Sequence, residues 1–148
     1  VVNVLQSMIL TQGKDMVLTP TYYVFKMYNV HQDATYLPLD LNCEIKDVRD
    51  NRKVPMISAT ASKDKDGKIH ISMSNIDADN AQEVTINLAD VKAKKAVGEI
   101  LTSANLADYN SFEKPNNVKL APFKEVKINK GELKIKLPAK SIVTIELQ

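Results

Sequence analysis

Residues 131–148 read GELKIKLPAKSIVTIELQ. Leu133, Ile135 and Leu137 alternate with Lys134 and Lys136, and Val143, Ile145 and Leu147 alternate with Thr144 and Glu146. A period of two sends successive side chains to opposite faces, so each run is a half-buried strand. The PAKS segment between them is a turn, and the two strands are expected to form a closing hairpin. NKG (129–131) predicts another turn, preceded by a strand carrying Val126 and Ile128.

Upstream the same period recurs. It appears at Leu41, Cys43 and Ile45, again at Ile57, Ala59 and Ala61, and at Ile69, Ile71 and Met73 after a DKDG turn (64–67). Val84, Ile86 and Leu88 form another such run, and Val97–Leu101 one more. About eight short strands joined by turns predict a mainly β protein, an antiparallel β-sandwich of jelly-roll type over residues 37–148.

Residues 1–36 break the pattern. VVNVLQSMIL (1–10) reads as a helix end running into a buried strand centred on Met8, Ile9 and Leu10, with QGKD (12–15) as its turn. LTPTYYVFKMYNV (18–30) predicts a helix over 20–30, with Thr19 as N-cap and Pro20 at the first helical position. Tyr22, Tyr23, Val24, Phe25, Met27, Tyr28 and Val30 cover most of its circumference. A surface helix shows one apolar stripe, so this one is expected to meet partners on several sides. A strand followed by a helix is one repeat of an α/β barrel or layer, and one repeat closes nothing. The chain also opens on an apolar run without an initiator Met, as though it continued from something upstream. Compartment is therefore not legible.

Composition narrows the chemistry. With 148 residues, 44% hydrophobic and 26% charged, the chain can bury a core without disulfides. A net charge of +2 and lysines spread along the strands give no nucleic-acid patch. No run approaches a membrane span. The single cysteine, Cys43, shares a face with Leu41 and Ile45 and reads as a buried thiol. His31 and His70 lack a second His or Cys at ligand spacing, and His70 is expected on the solvated side of its strand. Asp64, Asp66 and Gly67 resemble a calcium loop only faintly, because Met73 stands where the closing Glu is needed. No metal or cofactor is expected. Asp108 and Glu113 in the polar loop 103–118 are a candidate acid/base pair, set against a structural loop anchored by Tyr109 and Phe112. The residues contain no catalytic constellation.

NVLQSMILT with LTPTYYVFKMYNVHQDA, then GEILTSANLADYNSFEKPNNV and the closing strands, resemble family 51 α-L-arabinofuranosidases over essentially the whole chain. The pattern L-T-x5-D-x-N-x-F-E-x-P-x-x-V is matched by Leu101, Thr102, Asp108, Asn110, Phe112, Glu113, Pro115 and Val118. The resemblance implies that residues 1–36 are the last strand–helix unit of a (β/α)8 barrel and 37–148 the C-terminal β-sandwich. It implies a retaining hydrolase that removes terminal α-L-arabinofuranosyl groups from arabinose-containing polysaccharides. Its two catalytic Glu would lie upstream, so this chain alone is expected to be inactive. Some members use a Gln before the last helix as a sugar contact. Thr19 aligns there, and no substrate contact is carried over. The barrel is the expected partner, with homo-oligomers open, and Tyr22, Phe25, Tyr28, Tyr109 and Phe112 are the expected packing residues. A carbohydrate-binding module or a protein-interaction domain is the alternative. The first is disfavoured because Trp is absent and half the aromatics fall in the helix.

Overall fold

The computed structural model describes residues 2–48, 52–88 and 91–148; the expectation for Val1 lies outside them. In chain order the strands are β1 (Ile9–Gln12), β2 (Asp15–Leu18), β3 (Thr35–Leu37), β4 (Ile45–Val48), β5 (Arg52–Pro55), β6 (Ile57–Lys63) and β7 (Ile69–Asn75). They continue with β8 (Gln82–Asn87), β9 (Ala96–Thr102), β10 (Ala121–Phe123), β11 (Val126–Asn129), β12 (Glu132–Leu137) and β13 (Ser141–Leu147). Between β2 and β3 lie the helix α1 (Pro20–Tyr28) and a 3-10 turn (Asn29–His31).

A six-stranded antiparallel sheet, in the order β10-β9-β13-β7-β6-β3, faces a three-stranded one, β11-β12-β8. Alternation explains what lies between them. Val143, Ile145 and Leu147 of β13, Ile71 and Met73 of β7, and Leu133, Ile135 and Leu137 of β12 are buried in one cluster. Leu133, Leu137, Val143 and Ile145 are 0% exposed, and burying each contributes roughly 1.5–3 kcal/mol. The other face of the large sheet is covered too, because α1 packs on β9 and β13 and the 3-10 turn on β6. The protein is thus a mainly β sandwich with a helical third layer.

The closing strands do not form a hairpin. β12 pairs with β11 and β8, whereas β13 pairs with β7 and β9. Pro138–Lys140 is a corner between the sheets, with Lys140 at φ 45°. Asn75 holds that corner, donating to the Pro138 carbonyl at 3.0 Å, and the Ser141 hydroxyl donates to the same oxygen at 2.7 Å. The turn before β12 is the expected hairpin. Lys130 (φ 48°) and Gly131 (φ 81°) are both left-handed, which is the geometry whose twist matches two flanking strands.

Other expectations are corrected. Residues 41–44 are not a strand, and Leu41 is 37% exposed; alternation there serves an irregular segment that covers the sandwich's open side, with Leu39 and Cys43 packed on the core. Thr35–Leu37, at the division expected between 36 and 37, is a short strand that pairs with β6. β4 and β5 form a separate hairpin. Among the described residues at the start of the chain there is no helix end. A turn over 3–7 leads into β1, which pairs antiparallel with β2, and Met8, Ile9 and Leu10 are only half-buried. The helix ends at Tyr28. Thr19 has the extended conformation of an N-cap but makes no cap hydrogen bond with its side chain.

Candidate functional site

The apolar circumference of α1 resolves into two parts. Tyr23, Val24, Met27 and Tyr28 form one stripe that packs with Leu101, Val118, Leu120 and Ile142. Met27 is buried, at 2% exposure. Phe25, on the opposite side, is 63% exposed. Tyr22 is half-buried and meets Tyr23 edge-on, with ring centroids 5.6 Å apart. The helix therefore spends one stripe on the sandwich and leaves the rest uncovered.

A polar clamp fixes the far end of the helical layer. Nδ1 of His31 lies 2.6 Å from Ser62 Oγ, and Nε2 lies 2.8 Å from Ser72 Oγ. Ser72 in turn meets Thr144 at 2.9 Å. The ring of Tyr28 stacks obliquely on His31, with centroids 5.8 Å apart. Burial, and secondarily the nearby His70, hold the His31 pKa below the ordinary imidazole value. His70 points to the outer face, as its alternation demands, yet is 6% exposed because that face is roofed. Its Nε2 lies 2.9 Å from Asp64 Oδ2. Asp64 also accepts the N–H groups of Asp66 and Lys68 at 2.9 Å, so the DKDG segment is a self-satisfied hairpin turn. Cys43 is half-buried beside the Ile57 carbonyl. Among the described residues no three of His, Cys, Asp and Glu gather as a metal site.

The loop over 103–118 forms the other side of the site. Asp108 accepts hydrogen bonds from the Ser103 hydroxyl and the Asn105 N–H. Glu113 accepts one from the Ser111 hydroxyl at 2.7 Å. These bonds lower the pKa of both carboxyls, with the Ser103 and Ser111 hydroxyls as the main causes. A glycosidase general acid needs the reverse, a carboxyl held protonated, so the pair is built for loop structure. Tyr109 is 69% exposed and Phe112 half-buried. The residue that ties the loop down is Asn110, 2% exposed. Its Nδ2 donates to the carbonyls of Leu18 (2.7 Å) and Val118 (2.8 Å), and its Oδ1 accepts the Val118 N–H at 2.7 Å. Asn110 belonged to the loop pattern in the sequence, but a contact 92 residues away along the chain left no local signal.

Between the loop and the first half of α1 runs a groove of about 650 Å³, lined by Pro20, Val24, Phe25, Ile76, Leu106 and Ile142 among others. Its lining is mostly apolar, and Ile76 is 54% and Leu106 76% exposed. Such a contiguous apolar face with a polar border marks an interaction surface more than a small-molecule site. On the opening turn and hairpin, Leu5 (96%) and Met16 (60%) are also exposed.

The model of the α-L-arabinofuranosidase C-terminal domain family matches residues 1–141. An intracellular exo-α-L-arabinofuranosidase of Bacteroides ovatus is 79% identical over all 148 residues, which make up 29% of that protein. The crystal structure of the GH51 arabinofuranosidase from Xanthomonas axonopodis pv. citri matches at TM-score 0.95 and 40% identity. That match covers 100% of this chain and 30% of that one. A family 51 α-L-arabinofuranosidase from Bifidobacterium longum shares the fold at TM-score 0.89 and 22% identity, with 100% of this chain and 29% of that one covered. The chain thus spans less than a third of the length of these relatives.

Proposed function

Because the chain belongs to the α-L-arabinofuranosidase C-terminal domain family, we propose that it is the non-catalytic C-terminal region of a retaining α-L-arabinofuranosidase that hydrolyses terminal α-L-arabinofuranosides. Residues 1–36 then belong to the last βα unit of a catalytic (β/α)8 barrel, with α1 as its helix and the antiparallel β1–β2 hairpin in the loop before it, and 37–148 are the sandwich that braces it. The observation that carries this reading is the two-sided helix: one stripe is spent on the sandwich, while Phe25, with Ile76 and Leu106 across the groove, awaits a second body. Tyr22, Phe25 and Tyr109 are the side chains that the barrel would cover. Tyr28 and Phe112 serve the sandwich side of the same junction.

In this reading the two carboxyl groups of a retaining mechanism, one nucleophile and one acid/base, are supplied by the barrel. The sandwich contributes rigidity and excludes water from the helix face. The test compares this chain alone with the full-length protein on 4-nitrophenyl α-L-arabinofuranoside. Turnover is expected from the full-length protein only; turnover by the isolated 148 residues would overturn the assignment.

A further inference from the structure

In an α/β barrel the chain leaves each strand at its C-terminal end, crosses a βα loop and enters the helix, and the active site is assembled from those loops. The junction Leu18–Thr19 immediately precedes α1. Resting on the reading that α1 is the last barrel helix, it therefore lies on the catalytic face. The sandwich reaches this point through a buried side chain. Asn110 holds the Leu18 carbonyl at 2.7 Å while its other bonds lock it to Val118 within its own loop. An amide with donors and acceptor all engaged and 2% exposure is a rigid strut.

The restraint passes on from Leu18. The Thr19 N–H donates to the Met8 carbonyl at 3.0 Å. Its hydroxyl reaches the carbonyls of Ser7 (2.8 Å) and Met8 (3.2 Å), which is why it is not free to cap the helix. The turn before Met8 is closed on itself. The side chain of Asn3 both donates to the Thr11 hydroxyl and accepts the Thr11 N–H, each at 2.7 Å. Asn3 and Gln6 take left-handed backbone conformations (φ 50° and 58°), so the shape of this turn is imposed by its ties rather than by preference. The Ser7 hydroxyl, buried at 4% exposure, has no hydrogen-bond partner among the described residues. A buried orphan hydroxyl is costly, so the turn keeps this place through its other ties.

We propose that Asn110 is a positioning residue for hydrolysis: through Leu18 and Thr19 it sets where the turn over 3–8 and the β1–β2 hairpin stand at the mouth of the barrel. The sandwich then tunes the catalytic site as well as bracing the barrel.

The test uses the full-length enzyme and 4-nitrophenyl α-L-arabinofuranoside, at a temperature where circular dichroism finds each variant folded. Asn110→Ala is expected to lower kcat/KM about tenfold, mostly in kcat, since small misplacements of active-site loops cost on this order or more. Thr19→Val cuts the next link without touching the sandwich and is expected to act alike. The double variant should be no worse than the poorer single one, as for two links of one chain. Ile135→Val, in the core between the sheets, should lower Tm and leave kcat and KM unchanged. The proposal is overturned if Asn110→Ala and Thr19→Val behave as Ile135→Val does. A wild-type enzyme inactive on the arabinofuranoside overturns the functional reading itself, and this proposal with it.

Discussion

His31 shows what one polar side chain does at a packed interface. It bridges Ser62 and Ser72 in the clamp, and burial opposes its protonation. Ser62 and Ser72 face it from the large sheet, Tyr28 from α1, and His70 from β7. Its folded pKa lies below the unfolded value of about 6.5. Protons therefore bind the unfolded chain first, and the stability from His31 is complete above that value and declines as pH falls through the folded pKa. The carboxyls with lowered values, such as Asp77 with Lys46 and Asp64 with His70, act in the same direction but below their ordinary 3.8. Below about 6.5 and above the carboxylate range, the loss thus belongs to His31. Urea titrations across that range should show wild-type stability falling more steeply with acidity than that of His31→Gln. An equal slope in both proteins would remove His31 from the account. In the sequence His31 was visible only as a histidine without a metal partner, because its partners lie 31 and 41 residues away.

At the scale of elements, alternation predicted the strands of six or seven residues that face a core on one side, β6 to β9, β12 and β13, whereas those it missed are short. β10 is three residues, Ala121–Phe123, with a proline in the middle. It is held by register with β9, where Phe123 lies opposite Gly98. A Cβ on Gly98 would meet Phe123 Cβ and Cδ1 at 3.1 Å. Gly98→Ala should therefore displace β10 and cost about 1–3 kcal/mol, as overpacking does, measured by denaturant unfolding. A change within 0.3 kcal/mol, on the order of a neutral surface substitution, would show that β10 yields freely. β2 escaped notice for a related reason: in DMVL only Val17 is buried, and a single buried residue has no period. The corner at Pro138–Lys140 was misread as a hairpin because two alternating runs look alike whether their strands pair or part.

For the molecule as a whole, the exposed apolar surface decides behaviour. Phe25, Ile76 and Leu106 border one groove, and Leu5 is almost wholly exposed on the opening turn. Without a covering body the 148-residue chain should self-associate, with a sedimentation coefficient that rises with concentration. Phe25→Ser with Leu106→Ser should shift that association by at least tenfold, since burying each such side chain contributes roughly 1.5–3 kcal/mol. In the full-length enzyme the same pair should instead lower stability, because the barrel loses its contacts. A monomeric isolated chain, unchanged by the substitutions, would argue that this face is not where the barrel sits.

The sequence by itself determined the class of the fold, the strands from Ile57 to Leu101 and from Val126 to Leu147, the helix start at Pro20, and the loop pattern that points to the family. These rest on local periods and turn chemistry, which a chain carries wherever it goes. Tertiary structure alone decided that β12 and β13 lie in different sheets, that His70 is roofed over, and that Asn110 grips Leu18. Each is a contact between residues far apart in the chain, and its energy depends on where the intervening segments close, which no period of two or 3.6 residues encodes.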